Sequence, residues 1–145
     1  MSDLAPETCT CSALRQAARH VTKLYDDALA PVGLGLNQYS ILSKLYRFGP
    51  KILQDLAALL VMDRSTLGHL LRPLEKRGLV RLDVSERDRR SRVIALTPMG
   101  AALMKEARLL WVKAERHFER VYGTEAALGL RVTLRQVTAT EFGHA

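Results

Sequence analysis

Asp63-Arg64-Ser65-Thr66-Leu67-Gly68-His69-Leu70-Leu71-Arg72, at the centre of the stretch from Leu53 to Pro98, decides how this chain folds. Asp63 is a good N-cap, because its carboxylate accepts from the free backbone N–H groups of a first helical turn. Leu67, Leu70, Leu71 and Leu74 then recur at helical spacing as one buried stripe. The opposite face carries Arg64, Ser65, Gly68, His69 and Arg72, which are small, hydrogen-bonding or cationic. Upstream, Gln54 to Leu60 reads as a short amphipathic helix, and only Val61-Met62 separate it from the Asp63 cap. Two short helices joined this tightly must cross steeply. Downstream, Leu79-Val80-Arg81-Leu82 and Arg92-Val93-Ile94-Ala95-Leu96 read as strands around the polar, Arg-rich tip Ser85 to Ser91. Helix, turn, helix and basic hairpin in this order predict a winged helix-turn-helix, mainly α with a small β-wing.

The rest of the chain sets bounds on that reading. Its 145 residues suit a single domain, 1–145, with a substantial core. Lys and Arg number 22 against 15 Asp and Glu, a formal +7. Residues 63–92 hold nine of the cations and only five of the acids, so the excess concentrates on the proposed reading element. That distribution suits a polyanion partner, double-stranded DNA. No apolar run approaches 18 residues and no basic-then-apolar start is present, so neither a membrane span nor a signal peptide is expected, and the cytoplasm is the expected location. Without a glycine-rich phosphate loop, nucleophile elbow or paired acid cluster, no catalytic residue and no cofactor is expected. His20, His69, His117 and His144 lack ligand spacing, and Cys9-x-Cys11 alone is an incomplete metal site.

In chain order, Met1 to Thr8 is polar, broken by Pro6, and expected as a loose arm. A long helix starts at Cys9 or Thr10 with Leu14, Ala17, Ala18, Val21, Leu24, Tyr25, Ala28 and Leu29 in period, and Pro31 with Gly33 and Gly35 ends it. Asn37 is the expected cap of the next helix, whose stripe is Ile41, Leu42, Leu45 and Tyr46 and which stops at Gly49-Pro50. Pro73, inside the reading helix, removes the amide that would bond the His69 carbonyl. The helix therefore either bends there or ends near Arg72 and restarts. Thr97-Pro98 is a cap followed by proline at the first helical position. The helix it opens keeps Leu103, Ala107, Leu110, Trp111, Ala114, Phe118 and Val121 on one side until Gly123. A last helix from Thr124 carries Ala127, Leu130, Leu134 and Val137, with Leu128 and Val132 off the main stripe. Two apolar faces on a terminal helix need more cover than one chain supplies. Homodimerisation through residues 9–31 and 101–142 follows as an expectation, leaving 37–98 as the DNA-binding lobe.

On the reading helix Ser65, Thr66, His69 and Arg72 are the candidate base contacts, with Arg64 on phosphate. On the wing, Arg87, Arg89, Arg90 and Arg92 suit a narrow A·T-rich minor groove and its flanking phosphates. Two related reading helices imply a pseudo-palindromic operator.

The chain resembles the multiple-antibiotic-resistance regulator (MarR) family of bacterial transcription regulators. The resemblance is carried by Leu56-Ala57, Met62 to Thr66, Leu74-Glu75-Lys76-Arg77-Gly78-Leu79-Val80, Asp88 to Arg92, and Leu96-Thr97-Pro98-Met99-Gly100. It implies a dimeric DNA-binding regulator, read here as a repressor released by a small molecule or an oxidant. In the family the tip's Asp-x-Arg pairs internally, which falls here on Asp88 and Arg90. The turn usually holds glycine where this chain has Val61, and since a β-branched residue resists positive φ, the turn is expected to differ in detail. The resemblance also places an inducer pocket, often for aromatic carboxylates or phenolics, between the dimer helices and the reading lobe. Tyr25, Tyr39, Tyr46 and Trp111 are its candidate liners. Cys11 to Arg19 is similar to the segment of the organic-hydroperoxide repressors that holds their sensing cysteine. Cys11 falls on that cysteine, Tyr25 on one of its two tyrosine partners, and Leu36 on the other. Cys9 is close enough to act as a resolving thiol, so a thiol-based peroxide sensor is one alternative. A winged-helix protein-interaction module without specific DNA binding is another.

Overall fold

The computed structural model describes residues 5–144. Its elements are α1 (Thr10–Leu29), α2 (Leu36–Phe48), β1 (Lys51–Ile52), α3 (Leu53–Leu60), α4 (Arg64–Lys76), β2 (Val80–Val84), β3 (Arg92–Leu96), α5 (Pro98–Tyr122) and α6 (Thr124–Ala139). One antiparallel sheet runs in the order β1-β3-β2. Leu82 opposes Ile94, and Lys51 opposes Ile94 from the other side. β1 has no counterpart in the sequence reading, because two residues after Gly49-Pro50 are too few to show alternation.

One core joins α1, α2, α3, α4, the sheet and the first half of α5. Leu29, Ile41, Leu42, Leu56, Leu67, Leu74, Ile94 and Ala107 are fully buried in it. Each large aliphatic side chain buried there contributes about 1.5–3 kcal/mol of transfer free energy. The leucine stripe of α4 faces this core as its periodicity predicts, with Leu70 partly covered at its edge. Tyr46 and Val121 do not follow their stripes: both are exposed.

Several local expectations are corrected. Residues 1–4 of the expected loose arm lie outside the described residues, while Pro6–Thr8 forms a 3-10 turn closed by Thr8 on the Ala5 carbonyl. Asn37 does not cap α2. The cap is Gly35 and the helix starts two residues earlier, where the Gln38 side chain accepts from the Gly35 N–H and Asp26 accepts from the Leu36 N–H. α4 runs through Pro73 to Lys76 as one helix, so it does not end and restart. α6 stops at Ala139, short of residue 142.

Candidate nucleic-acid interface

The reading helix is started by Asp63, whose Oδ2 accepts from the Thr66 backbone N–H at 2.9 Å while Oδ1 accepts from the Thr66 hydroxyl at 2.6 Å. The Thr66 hydroxyl and then its amide hold the Asp63 carboxyl below the usual carboxylate range. Thr66 therefore serves the cap, and its hydroxyl proton is already spent. The other predicted readers, Arg64, Ser65, His69 and Arg72, are exposed and make no side-chain hydrogen bond or ion pair among the described residues. Gly68 lies on the same face. A Cβ there would meet nothing within 4 Å, so no neighbour in the chain requires the glycine.

The turn before α4 also departs from expectation. Val61 takes the left-handed conformation, φ 51 and ψ 50, that glycine adopts without cost. Its N–H bonds the Ala58 carbonyl and the Met62 N–H the Ala57 carbonyl, so the helix end is closed in spite of the β-branch. The side chain is 73% exposed, and packing there does not compensate the strain of about 1–3 kcal/mol.

In the wing, Ser85 N–H donates to the Ser91 carbonyl at 3.1 Å and the buried Ser85 Oγ accepts from the Arg87 N–H at 3.3 Å. Asp88 does not pair with the Arg90 guanidinium. Its Oδ1 accepts from the Arg90 backbone N–H at 2.9 Å and its Oδ2 from the Ser91 hydroxyl at 3.4 Å. The carboxylate thus shapes the tip, and a loop this short bends Arg90's own amide, not its guanidinium, onto Asp88. Arg87, Arg89 and Arg90 keep exposed side chains with no protein partner among the described residues, while Arg92 Nη1 donates to the Arg89 carbonyl at 3.4 Å.

The remaining candidates fall into separate places. Tyr39 and Trp111 stack with ring centroids 6.2 Å apart and, with Ser43, Lys44 and Arg108, line an open cavity of about 330 Å³ between α2 and α5. Burial raises the Tyr39 hydroxyl's pKa, partly offset by Arg108 and Ser43. Tyr46 stands outside this cavity under the Lys105 ammonium. Tyr25 lines a different, mostly apolar groove of about 640 Å³ between α1, α5 and α6. Its hydroxyl donates to Glu115, which pairs at 2.9 Å with Arg131, and Arg131 also reaches Glu119 at 3.2 Å. Burial first, and Glu115 second, push the Tyr25 pKa up. The sequence reading missed this cluster; Glu115 and Arg131 carry no local signal linking them to a tyrosine 90 residues away.

Cys9 caps α1, its Sγ accepting from the Ser12 N–H at 3.4 Å, and Cys11 lies in the first turn; both thiols are free and exposed. Cys11 and Tyr25 are 14 residues apart on one helix, about 21 Å along its axis, so they do not meet within a chain. Leu36 packs on the core beside Trp111. Among the described residues no cluster of three potential metal ligands occurs, and no helix is long and apolar enough to cross a membrane.

A reading helix with a free cationic face, set beside an arginine-bearing wing, defines a winged-helix DNA-binding protein. Residues 34–91 match the MarR family. The chain is 32% identical over 101 residues, 70% of its length and 69% of the relative's, to the organic hydroperoxide resistance transcriptional regulator of Bacillus subtilis. It is similar in structure, with a TM-score of 0.81 and 27% identity over 94% of this chain and 99% of the other, to the transcriptional repressor CouR bound to a 23-mer DNA duplex. NadR in complex with 4-hydroxyphenylacetate superposes with a TM-score of 0.74 and 26% identity over 97% of this chain and all of the other. The chain belongs to the MarR family. It is a winged-helix, DNA-binding transcription regulator and not an enzyme.

Proposed function

We propose that this regulator is a cytoplasmic homodimer that represses transcription by laying α4 in the major groove and its wing in the flanking minor groove. The observation that carries this is the α4 face itself: among the described residues Arg64, Ser65, His69 and Arg72 stay unpartnered, above a leucine stripe that is locked into the core. Gly68 supports it, because glycine inside a helix costs roughly 0.5–1 kcal/mol against alanine and leaves room for a close outside surface. Thr66 is assigned to the cap, and Asp88 to the shape of the wing. Residues 9–31 and 101–142 form the dimer surface, and 37–98 the reading lobe. Two reading helices about a two-fold axis call for half-sites roughly 10 base pairs apart. The α2–α5 cavity, with stacked Tyr39 and Trp111 under Lys44 and Arg108, suits an aromatic anion as inducer. A ligand that favours a dimer with wrongly spaced reading helices lowers operator affinity.

Gel-shift titrations at several salt concentrations test the two surfaces. Arg72→Ala is expected to cost about 1–3 kcal/mol on the specific site and little on random DNA. Arg90→Ala is expected to weaken operator and other A·T-rich duplexes together and to flatten the salt slope. Equal losses on every sequence for Arg72→Ala would reduce it to a phosphate contact.

A thiol switch is the second reading, supported by two exposed cysteines at the start of α1 and by the similarity to the Bacillus subtilis regulator. In it, peroxide oxidises Cys11 to the sulfenic acid, with release of water or alcohol, and Cys9 or a partner-chain thiol condenses with it to a disulfide, releasing water. Tyr25 enters only across a dimer, and its hydroxyl must first leave Glu115. Cys11→Ser should keep operator binding and ignore peroxide. Full affinity of the wild-type chain with both thiols oxidised would exclude the switch.

A further inference from the structure

Arg77 follows the last residue of α4, and its exposed side chain reaches back across more than forty residues of sequence. Nη1 donates to the Gly33 carbonyl at 2.7 Å and Nη2 to the Val32 carbonyl at 3.1 Å. These carbonyls end the 3-10 turn Ala30–Val32 that joins α1 to α2. Gly33 has φ 67, and a Cβ there would sit 3.4 Å from Arg77 Nη1, so glycine permits both the turn and the approach. Among the described residues, these are the only side-chain hydrogen bonds between residues 53–97 and residues 5–48.

The two residues after Arg77 are fastened to α5 with no play. Thr97 donates its hydroxyl to the Gly78 carbonyl at 2.6 Å and its N–H to the Leu79 carbonyl at 3.1 Å. Gly100 packs so closely that a Cβ would lie 2.0 Å from the Leu79 oxygen. The trailing end of α4 is therefore fixed rigidly to α5 through backbone and to the exit of α1 through one long side chain. A planar guanidinium that grips two carbonyls at once resists rotation as well as separation.

We infer that Arg77 is a positioning residue that sets the angle of the reading helix against the α1–α2 junction, and so fixes the half-site spacing that a dimer accepts. The inference rests on the reading of α4 as the DNA-reading helix and α1 as part of the dimer surface. Lysine brings one ammonium nitrogen in place of the rigid two-nitrogen fork, and glutamine is too short to hold both carbonyls.

The test uses the full chain and a duplex that the wild-type protein selects from a random library. Arg77→Gln and Arg77→Lys are titrated on that duplex, on versions with the half-site spacing changed by one base pair, and on a non-specific duplex at two salt concentrations. Circular dichroism and thermal melting are recorded alongside. For Arg77→Gln, affinity for the selected duplex is expected to fall about tenfold, the loss of charge-assisted hydrogen bonds. Discrimination between spacings should shrink, while non-specific affinity and salt slope stay as in the wild type. Arg77→Lys should fall in between, and it carries the same test if the glutamine variant does not fold. Unchanged spacing discrimination overturns the inference. So does an equal loss on every duplex with a shallower salt slope, which marks a phosphate contact, or a loss that only follows a lowered melting temperature. Arg72→Ala separates the two levels: if it keeps full sequence preference, the reading of α4 fails, and the role of Arg77 falls with it.

Discussion

The reading lobe and the terminal lobe both carry apolar helix stripes, yet the first closes them over a core while the second leaves most of its own open. In α2, α3, α4 and β3, Leu42, Leu56, Leu67, Leu74 and Ile94 are all at 0% exposure. In α6, sixteen residues long, Ala127 is the one buried residue, while Leu128, Val132 and Leu134 remain at 55%, 44% and 38%. α1 likewise buries only Tyr25 and Leu29, both on its second half. The lobe proposed to contact DNA has to present a fixed surface, and its core is closed within one chain. The terminal lobe is left open along a groove lined by Ala13, Leu14, Ala17, Leu130 and Leu134, the face that the proposed dimer covers.

The sharpest way to break this contrast is to remove one side of it. A chain ending before Ala127 is expected to lose dimerisation and with it nearly all operator affinity, while the helical signal of the reading lobe persists. Sedimentation and gel shift read the two effects. A full-length chain that sediments as a concentration-independent monomer would sink the dimer and the palindromic operator together.

Next in size come two leucine substitutions that look alike in sequence. Leu71→Ala, in the closed lobe, should cost about 2–5 kcal/mol of stability, because it opens a cavity in a packed core. Leu134→Glu, on the open α6 face, should leave the monomer folded and weaken self-association. Denaturant melts at low and high protein concentration separate them; a concentration-independent loss for Leu134→Glu would mean that α6 is covered from within its own chain.

A smaller gain tests the reading lobe alone. Val61→Gly relieves the left-handed β-branched residue and should raise stability by about 1 kcal/mol, glycine's added unfolded-state freedom taking back part of the relief. No gain in the melting temperature would show that the turn holds Val61 without strain.

The smallest effect is in acid. Asp63 has a folded-state pKa below its unfolded value, so its stabilisation is present above the unfolded pKa and is lost as pH falls through the folded one. Amide exchange at Ser65 and Thr66 should therefore rise relative to the middle of α4 only below about pH 4. Asp63→Asn should flatten that dependence.

Much of this molecule is legible in its sequence. The leucine period of residues 67–74, the Asp63 and Thr97 caps and the glycine stops at Gly49 and Gly123 are local signals, and each acts within a turn or two of the residues that carry it. They determined the helices, the wing strand β3 and the face of α4 that meets solvent, because burial selects the apolar side whatever the partner. The tertiary structure decided what depends on the angle and distance between elements. It separated Tyr25 from Tyr39 and Trp111, and joined Tyr25 to Glu115 and Arg131. It also bent Val61 into a conformation its side chain resists, and brought Arg77 to two carbonyls more than forty residues away. No periodicity encodes such meetings. They arise when separate helices pack on one core, and the hydrogen bonds available at that distance are then made.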